Sequence, residues 1–213
     1  MGRFVRMKIA LPLALLIGAC SHPTVLVEVP PRMDLRNYPT LGIFDFTSSS
    51  ERELGARAAR QFQEQVQSAQ PGTRFIELGD RDAALASVGA KALDVASLKR
   101  IGDKYGVAAV FVGELTYSEP SVNVKVTDLN KLQGGVRAEI RGDMSTRLVE
   151  TANGASVWSR SSWATRQLGG LSVSDQGVSG GTRTSNPREA MLPALVQHVT
   201  HDFRPTQTRQ PAR

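Results

Sequence analysis

Cys20 is the only cysteine in the 213 residues. No disulfide within one chain can hold this fold, so its stability must come from a packed apolar core. The position of the thiol adds a second constraint. It follows an apolar stretch from Ile9 to Ala19, itself preceded by Arg3, Arg6 and Lys8 with no acidic residue before Cys20. A basic start, an apolar middle and small residues at the end form a secretory signal. The stretch is far shorter than the ~20 residues a transmembrane helix needs. Residues 1–19 are therefore expected to be a signal peptide, leaving enough chain for one domain with a proper core. The net charge of +6 includes Arg3, Arg6 and Lys8, which leaves +3 for the remainder. No dense Lys/Arg run follows, so nucleic acid is not expected as a partner.

The segment Ile17-Gly18-Ala19-Cys20 resembles the lipobox of bacterial lipoproteins. That resemblance implies an acylated Cys20 as the first residue of the mature chain and attachment to a membrane through this lipid. An acylated thiol is unavailable for catalysis or metal binding. Ser21, rather than Asp, follows the anchor; by the enterobacterial sorting rule this implies the inner leaflet of the outer membrane, facing the periplasm.

Residues 20–39 contain Pro23, Pro30, Pro31 and Pro39 and read as a stiff lipidated tether. The domain is expected over 40–203, beginning with a strand at Leu41–Phe46. Ser50 and Glu53 have capping-box spacing, and Leu54, Ala58, Phe62 and Val66 repeat every four residues, which predicts a helix to Ala69. Short helices are predicted near 80–90 and 94–105, the second capped by Asp94 with Val95, Leu98, Ile101 and Tyr105 inward. Val107 to Leu115 is apolar enough for a central strand. From Val122 the period becomes two, continuing through Val136, Ala138, Ile140, Gly142, Met144 and Leu148, as in a half-buried antiparallel strand. Asn153-Gly154 predicts a hairpin turn. Residues 169–185 hold nine Gly or Ser and read as a flexible solvated loop. Asn186-Pro187 opens a last helix with Met191, Leu192, Leu195, Val196, Val199 and Phe203 inward, and 204–213 reads as a disordered tail. The expected fold class is α/β (α+β): a mixed sheet with an antiparallel hairpin extension and about four helices packed on it.

Three segments in this order resemble the CsgG-type curli secretion lipoproteins and their relatives, which include the TolB amino-terminal domain and a lipoprotein activator of penicillin-binding proteins. They are Leu41–Phe46, Tyr105–Leu115 and Arg147–Ser159. The resemblance implies a periplasmic α/β domain that acts through protein–protein contacts in envelope assembly. A pore subunit is the alternative it suggests, with an oligomer possible. Channel members extend two hairpins into a barrel and line a constriction with a loop before the first helix. Here Phe46 lies too close to Ser50 for that loop, and the second hairpin region, 166–186, is mostly Gly and Ser.

Catalytic groups are sparse, and no enzyme activity, cofactor or metal is expected. His198, His201 and Asp202 share the last helix but read as its solvated flank. Asp80, Arg81 and Asp82 read as a helix start. No Gly-x-Ser-x-Gly elbow occurs, and the Gly pairs lack the Lys of a phosphate loop. Trp158 and Trp163 are an odd number of residues apart on one strand, so they must occupy opposite faces. One is expected in the core and the other is a candidate interface anchor. The leading expectation is a non-catalytic, lipid-anchored accessory protein that binds an envelope partner; a secretion pore, a cell-wall hydrolase and a structural lipoprotein are the competing readings.

Overall fold

The structure is a computed structural model and describes residues 24–128, 133–174, 177–181 and 186–211. The signal segment, Cys20 and Ser21 lie outside the described residues. The chain divides into two compact units. The smaller is a two-stranded ribbon of β1 (Thr24–Val29) and β10 (Thr206–Pro211). The larger spans 30–206 and holds the remaining elements.

Its sheet is mixed, as the sequence predicts. Parallel strands β2 (Leu41–Phe44) and β4 (Phe75–Gly79) are joined through α1 (Arg52–Ala69). A two-residue strand, β3 (Thr47–Ser48), lies beside the later part of β5. After α2 (Arg81–Ser87) and α3 (Val95–Tyr105), β5 (Ala109–Tyr117) enters beside β2. Antiparallel strands β6 (Ser121–Asp128), β7 (Gln133–Glu150), β8 (Ser156–Ser174) and β9 (Gly177–Gly180) complete it. The order is β4-β2-β5-β7-β8-β9, with β6 on the early part of β7. Helix α4 (Leu192–Val199), flanked by single 3-10 turns, closes the chain over the sheet.

Apolar periodicity explains the layers. Leu54, Ala58, Phe62 and Val66 of α1 and Leu192, Leu195, Val196 and Val199 of α4 pack on Phe111, Leu115, Met144 and Leu148 of the sheet. Phe62 sits among the rings of Phe46, Phe111 and Phe203, with centroids 5.0–6.0 Å away in edge-to-face contact. On the opposite face, Leu85 of α2 and Leu98 and Ile101 of α3 cover Val110, Val112 and Val149. Because the first half of β5, to Gly113, is covered on both sides, it lacks the alternation of its neighbours.

Several segments differ from the sequence reading. Ser50 does not cap α1, which starts at Arg52 with no side-chain cap, because Ser50 and its neighbours are drawn toward the sheet. Ser49 N–H donates to the Leu115 carbonyl, and Ser50 N–H to Ser48 Oγ. Val95, expected inward, is 54% exposed in the first turn of α3. The segment expected as a tether is structured from Thr24, and Leu35 is buried in the main core. The Gln70 side chain anchors it, accepting from Leu35 N–H at 2.8 Å and donating to the Met33 carbonyl at 2.6 Å. Residues 206–211, expected to be disordered, form β10. The Gly/Ser-rich region is not a loop throughout: β8 runs on to Ser174, and β9 turns back against it. There β7 supplies a pairing edge from Gly134 onward, and backbone ladder bonds need no apolar side chains. The β7–β8 turn spans 151–155, longer than a two-residue hairpin, with Gly154 at φ 73°.

Candidate functional site

Period two sorts the side chains of β5, β7 and β8 onto two faces of very different character. One face is the apolar floor beneath α1 and α4. The other carries cross-strand rows of polar residues: Val112–Arg147–Ser159, then Glu114–Ser145–Ser161, then Thr116–Asp143–Trp163. Helices α2 and α3 cover this second face only over the parallel strands and the start of β5. In the Val112 row Arg147 and Ser159 are exposed, and beyond it so are Glu114, Ser145, Ser161 and Trp163.

Trp163 stands at the end of this open face and is 59% exposed. The Arg141 guanidinium lies 5.0 Å from the centre of its ring, a cation–π contact. Asp143 fixes that guanidinium from two sides, accepting from Arg141 Nε at 2.9 Å and from Nη2 at 2.6 Å. Beside the indole is a depression of about 380 Å³ lined by Glu114, Thr116, Arg141, Asp143, Ser161 and Trp163. An adjoining depression of about 270 Å³ is lined by Thr47, Arg81, Glu114, Ser145, Arg147 and Ser159. The two share Glu114 and Ser145 and form one polar surface with an aromatic end.

Trp158 occupies the other face. Its ring packs 4.7 Å from that of Phe203 and 6.1 Å from that of Phe111, and its Nε1–H donates to Asp202 Oδ2 at 3.3 Å. Asp202 also accepts from Arg160 and lies 4.0 Å from Arg32. The sequence reading put Asp202 on a solvated flank with His198 and His201. Both histidines are exposed, but Asp202 turns in and its side chain is only 12% exposed. Burial pushes its carboxyl pKa up. The hydrogen bonds from Arg160 and Trp158, with the charges of Arg160 and Arg32, outweigh that and hold it below the usual carboxylate value. Asp80 accepts from Ala83 N–H at 2.9 Å and caps α2.

The open face offers stacking, guanidinium forks and hydroxyl groups. His198 and His201 belong to the α4 layer across the sheet, so neither can act as a base for the serines of the open face. Among the described residues no group of three or more His, Cys, Asp or Glu side chains is placed to hold a metal ion. Arg81, Arg141, Asp143, Ser145 and Arg147 were not singled out as a site by sequence. For the four on β7 the signal was the polar half of the same alternation whose apolar half located the strand, while Arg81 comes from the first turn of α2.

No family model matches the chain, and no curated protein matches it. Among solved structures it is similar to a single-substitution variant of PelC from Paraburkholderia phytofirmans, a dodecamer. Identity is 12% over 84% of this chain and 98% of that one, with a TM-score of 0.44. It is also similar to a neuraminyllactose-binding hemagglutinin homolog from Helicobacter pylori, at 12% identity over 82% and 92% of the two chains and a TM-score of 0.44. A third likeness is to lipoprotein GNA1162 from Neisseria meningitidis, at 14% identity over 74% and 94%, with a TM-score of 0.34. Membership of the CsgG-type family is not shown by these likenesses.

Proposed function

We propose that this chain is a lipid-anchored protein of the bacterial cell envelope that faces the periplasm and works by binding a partner protein through the open face of its sheet. The observation that carries the reading is Trp163, a large aromatic side chain left 59% exposed on a surface built of hydrogen-bonding groups. Water-exposed indole is a costly way to fill a sheet surface, whereas a partner that covers it gains apolar area with little loss of side-chain entropy. The lipobox-like segment at Cys20 supports the anchor, and the outer membrane is the address that Ser21 favours.

A photo-crosslinking amino acid placed at 163 in living cells, with mass spectrometry of the captured species, tests this reading. Capture of a defined envelope protein from 163, and none from the exposed position 198 of α4, is the expected result. Equal capture from both positions, or none from either, refutes it. Palmitate-analogue labelling checks the anchor: wild type takes label and Cys20→Ala does not.

A second reading, a subunit of an outer-membrane secretion pore, is favoured by one observation. Two hairpins, β6–β7 and β8–β9, lie side by side, and Val122, Val124 and Val136 stand exposed on the first at 62%, 67% and 40%. Against it, β9 has four residues, while a membrane-spanning strand needs about 9–11. Light scattering of the detergent-purified protein tests it, since a pore requires a multimer and a strict monomer excludes it.

A further inference from the structure

The depression between Arg81 and Arg147 brings two guanidinium groups together on the open face. Most arginines that form ion pairs in this structure have a carboxylate close by: Arg36 has Asp34, Arg141 has Asp143, Arg57 has Glu189 and Arg160 has Asp202. Arg147 has no ion-pair partner among the described residues. Arg81 reaches only its neighbour Asp82, at 3.9 Å, and that carboxylate is 86% exposed. The two guanidinium groups line one depression with the hydroxyls of Thr47, Ser145 and Ser159.

We propose that this depression is a carboxylate site, and that it receives an Asp or Glu side chain from the partner bound on the open face. This deepens the binding reading above and rests on it. Charge selects the ligand. Glu114 lines the same depression and Asp82 stands beside Arg81, so the cation left without a counter-charge is Arg147, and one carboxylate is the charge that matches it. Planar guanidinium forks match the two oxygens of a carboxylate, and the hydroxyls of Ser145 and Ser159 can donate to its remaining lone pairs, while that of Thr47 already donates to the Gly113 carbonyl. The floor is paired sheet backbone, so the site is formed before the ligand arrives and little ordering is needed on binding.

Register supplies a second feature of the ligand. Arg147 and Asp143 are four residues apart on β7, which is about 14 Å along an extended strand, and Trp163 is directly across from Asp143. An extended segment that lays a carboxylate at Arg147 therefore brings the side chain four residues away to the indole. The geometry specifies an acidic residue with an apolar residue four positions from it.

The test uses the acylated full chain in detergent and two rhodamine-labelled peptides, Ser-Glu-Thr-Ser-Thr-Leu and its Gln counterpart, with affinity read by fluorescence anisotropy. The Glu peptide is expected to bind, and Arg147→Gln to weaken it roughly tenfold, the loss of one charge-assisted contact. Arg209→Gln, in the separate ribbon, should change nothing. The Gln peptide should bind wild type no better than the Glu peptide binds Arg147→Gln. Equal binding of the two peptides, no binding at millimolar concentration, or an unchanged affinity in Arg147→Gln each overturns the proposal. Inorganic phosphate displacing the peptide more effectively than acetate at equal ionic strength also overturns it. If crosslinking from 163 proceeds undiminished in Arg147→Gln cells, the carboxylate site is wrong and partner binding stands; if capture from 163 is absent in wild type, the binding reading itself fails.

Discussion

Replacing Asp202 with Asn should destabilise the large unit by disconnecting three parts of the fold at once. Its carboxylate accepts from Trp158 Nε1 on β8 and from Arg160 two residues along, and it draws on Arg32 in the segment before β2. The pair with Arg160 is neither buried nor fully solvated, with side-chain exposures of 31% and 12%. An exposed pair would contribute less than about 1 kcal/mol, and a fully buried one broken on one side would cost about 3–5 kcal/mol. The loss for Asp202→Asn should lie between, at about 1–3 kcal/mol, or roughly 3–10 °C in Tm for a unit of this size. Asn keeps the shape and can still accept from Trp158, so the loss reports mainly the charge.

Urea unfolding followed by Trp fluorescence measures this most directly in a Trp163→Phe background, where Trp158 is the sole indole. The sign of the pH dependence gives an independent check. The folded carboxyl has a pKa below its unfolded value of about 3.9. Its contribution is therefore present above about pH 4 and lost as the pH falls through the folded value. The stability gap between wild type and Asp202→Asn should be open at pH 7 and narrow as the pH falls below the unfolded value. A gap below about 0.5 kcal/mol at neutral pH, or one unchanged by acid, would refute the reasoning. A double-mutant cycle with Arg160→Gln should return a coupling above about 0.5 kcal/mol.

Two further substitutions probe local packing. Gly113 lies under the Phe46 ring, and a Cβ there would come within 2.4 Å of Cγ and Cδ1. Gly113→Ala should cost about 1–3 kcal/mol by overpacking, and adding Phe46→Leu should recover part of it; strictly additive losses in urea unfolding would show that the ring is not the obstacle. Asp94→Ala removes the cap on Ser97 N–H, which donates to Asp94 Oδ1 at 2.7 Å, and should cost about 1 kcal/mol. Asp94→Asn should restore most of that by thermal unfolding, and an Asn variant as weak as Ala would contradict the capping role.

Sequence carried the layers of this fold because burial repeats along an element, and repetition survives without coordinates. The stripe on α1, the continuous apolarity of β5 and the alternation on β7 each marked an element and its buried face. Caps were less legible, and the two candidates show why. Asp94 and Ser97 form a reciprocal capping box. Ser50 and Glu53 have the same spacing and form none, because Ser49 is already committed to β5 through its N–H to Leu115 O and its Oγ, which accepts from Tyr117 N–H. A cap needs free backbone around it, and pairing with a distant strand is not written in the local residues. The later part of β8 was hidden for a related reason: its Gly and Ser residues are held by the backbone of β7, so the side chains carry no pattern.

The open face was half legible. The odd separation of Trp158 and Trp163 placed them on opposite faces, but coverage depends on how far α2 and α3 reach across the sheet, a tertiary length that no local pattern encodes. With that length in view, the polar residues of the alternation gain meaning. Arg147, Ser145 and Asp143 lie two apart on β7 and opposite Ser159, Ser161 and Trp163 on β8. A strand needs only solubility from a face turned to water, and Ser and Thr alone would supply it. Guanidinium groups beside an exposed indole go beyond that requirement, and arginine and tryptophan are the residues that a partner surface exploits most. Arg147, which has no ion-pair partner among the described residues, then makes the face selective, because a partner that brings a carboxylate there gains an ion pair, while one that brings a cation meets repulsion.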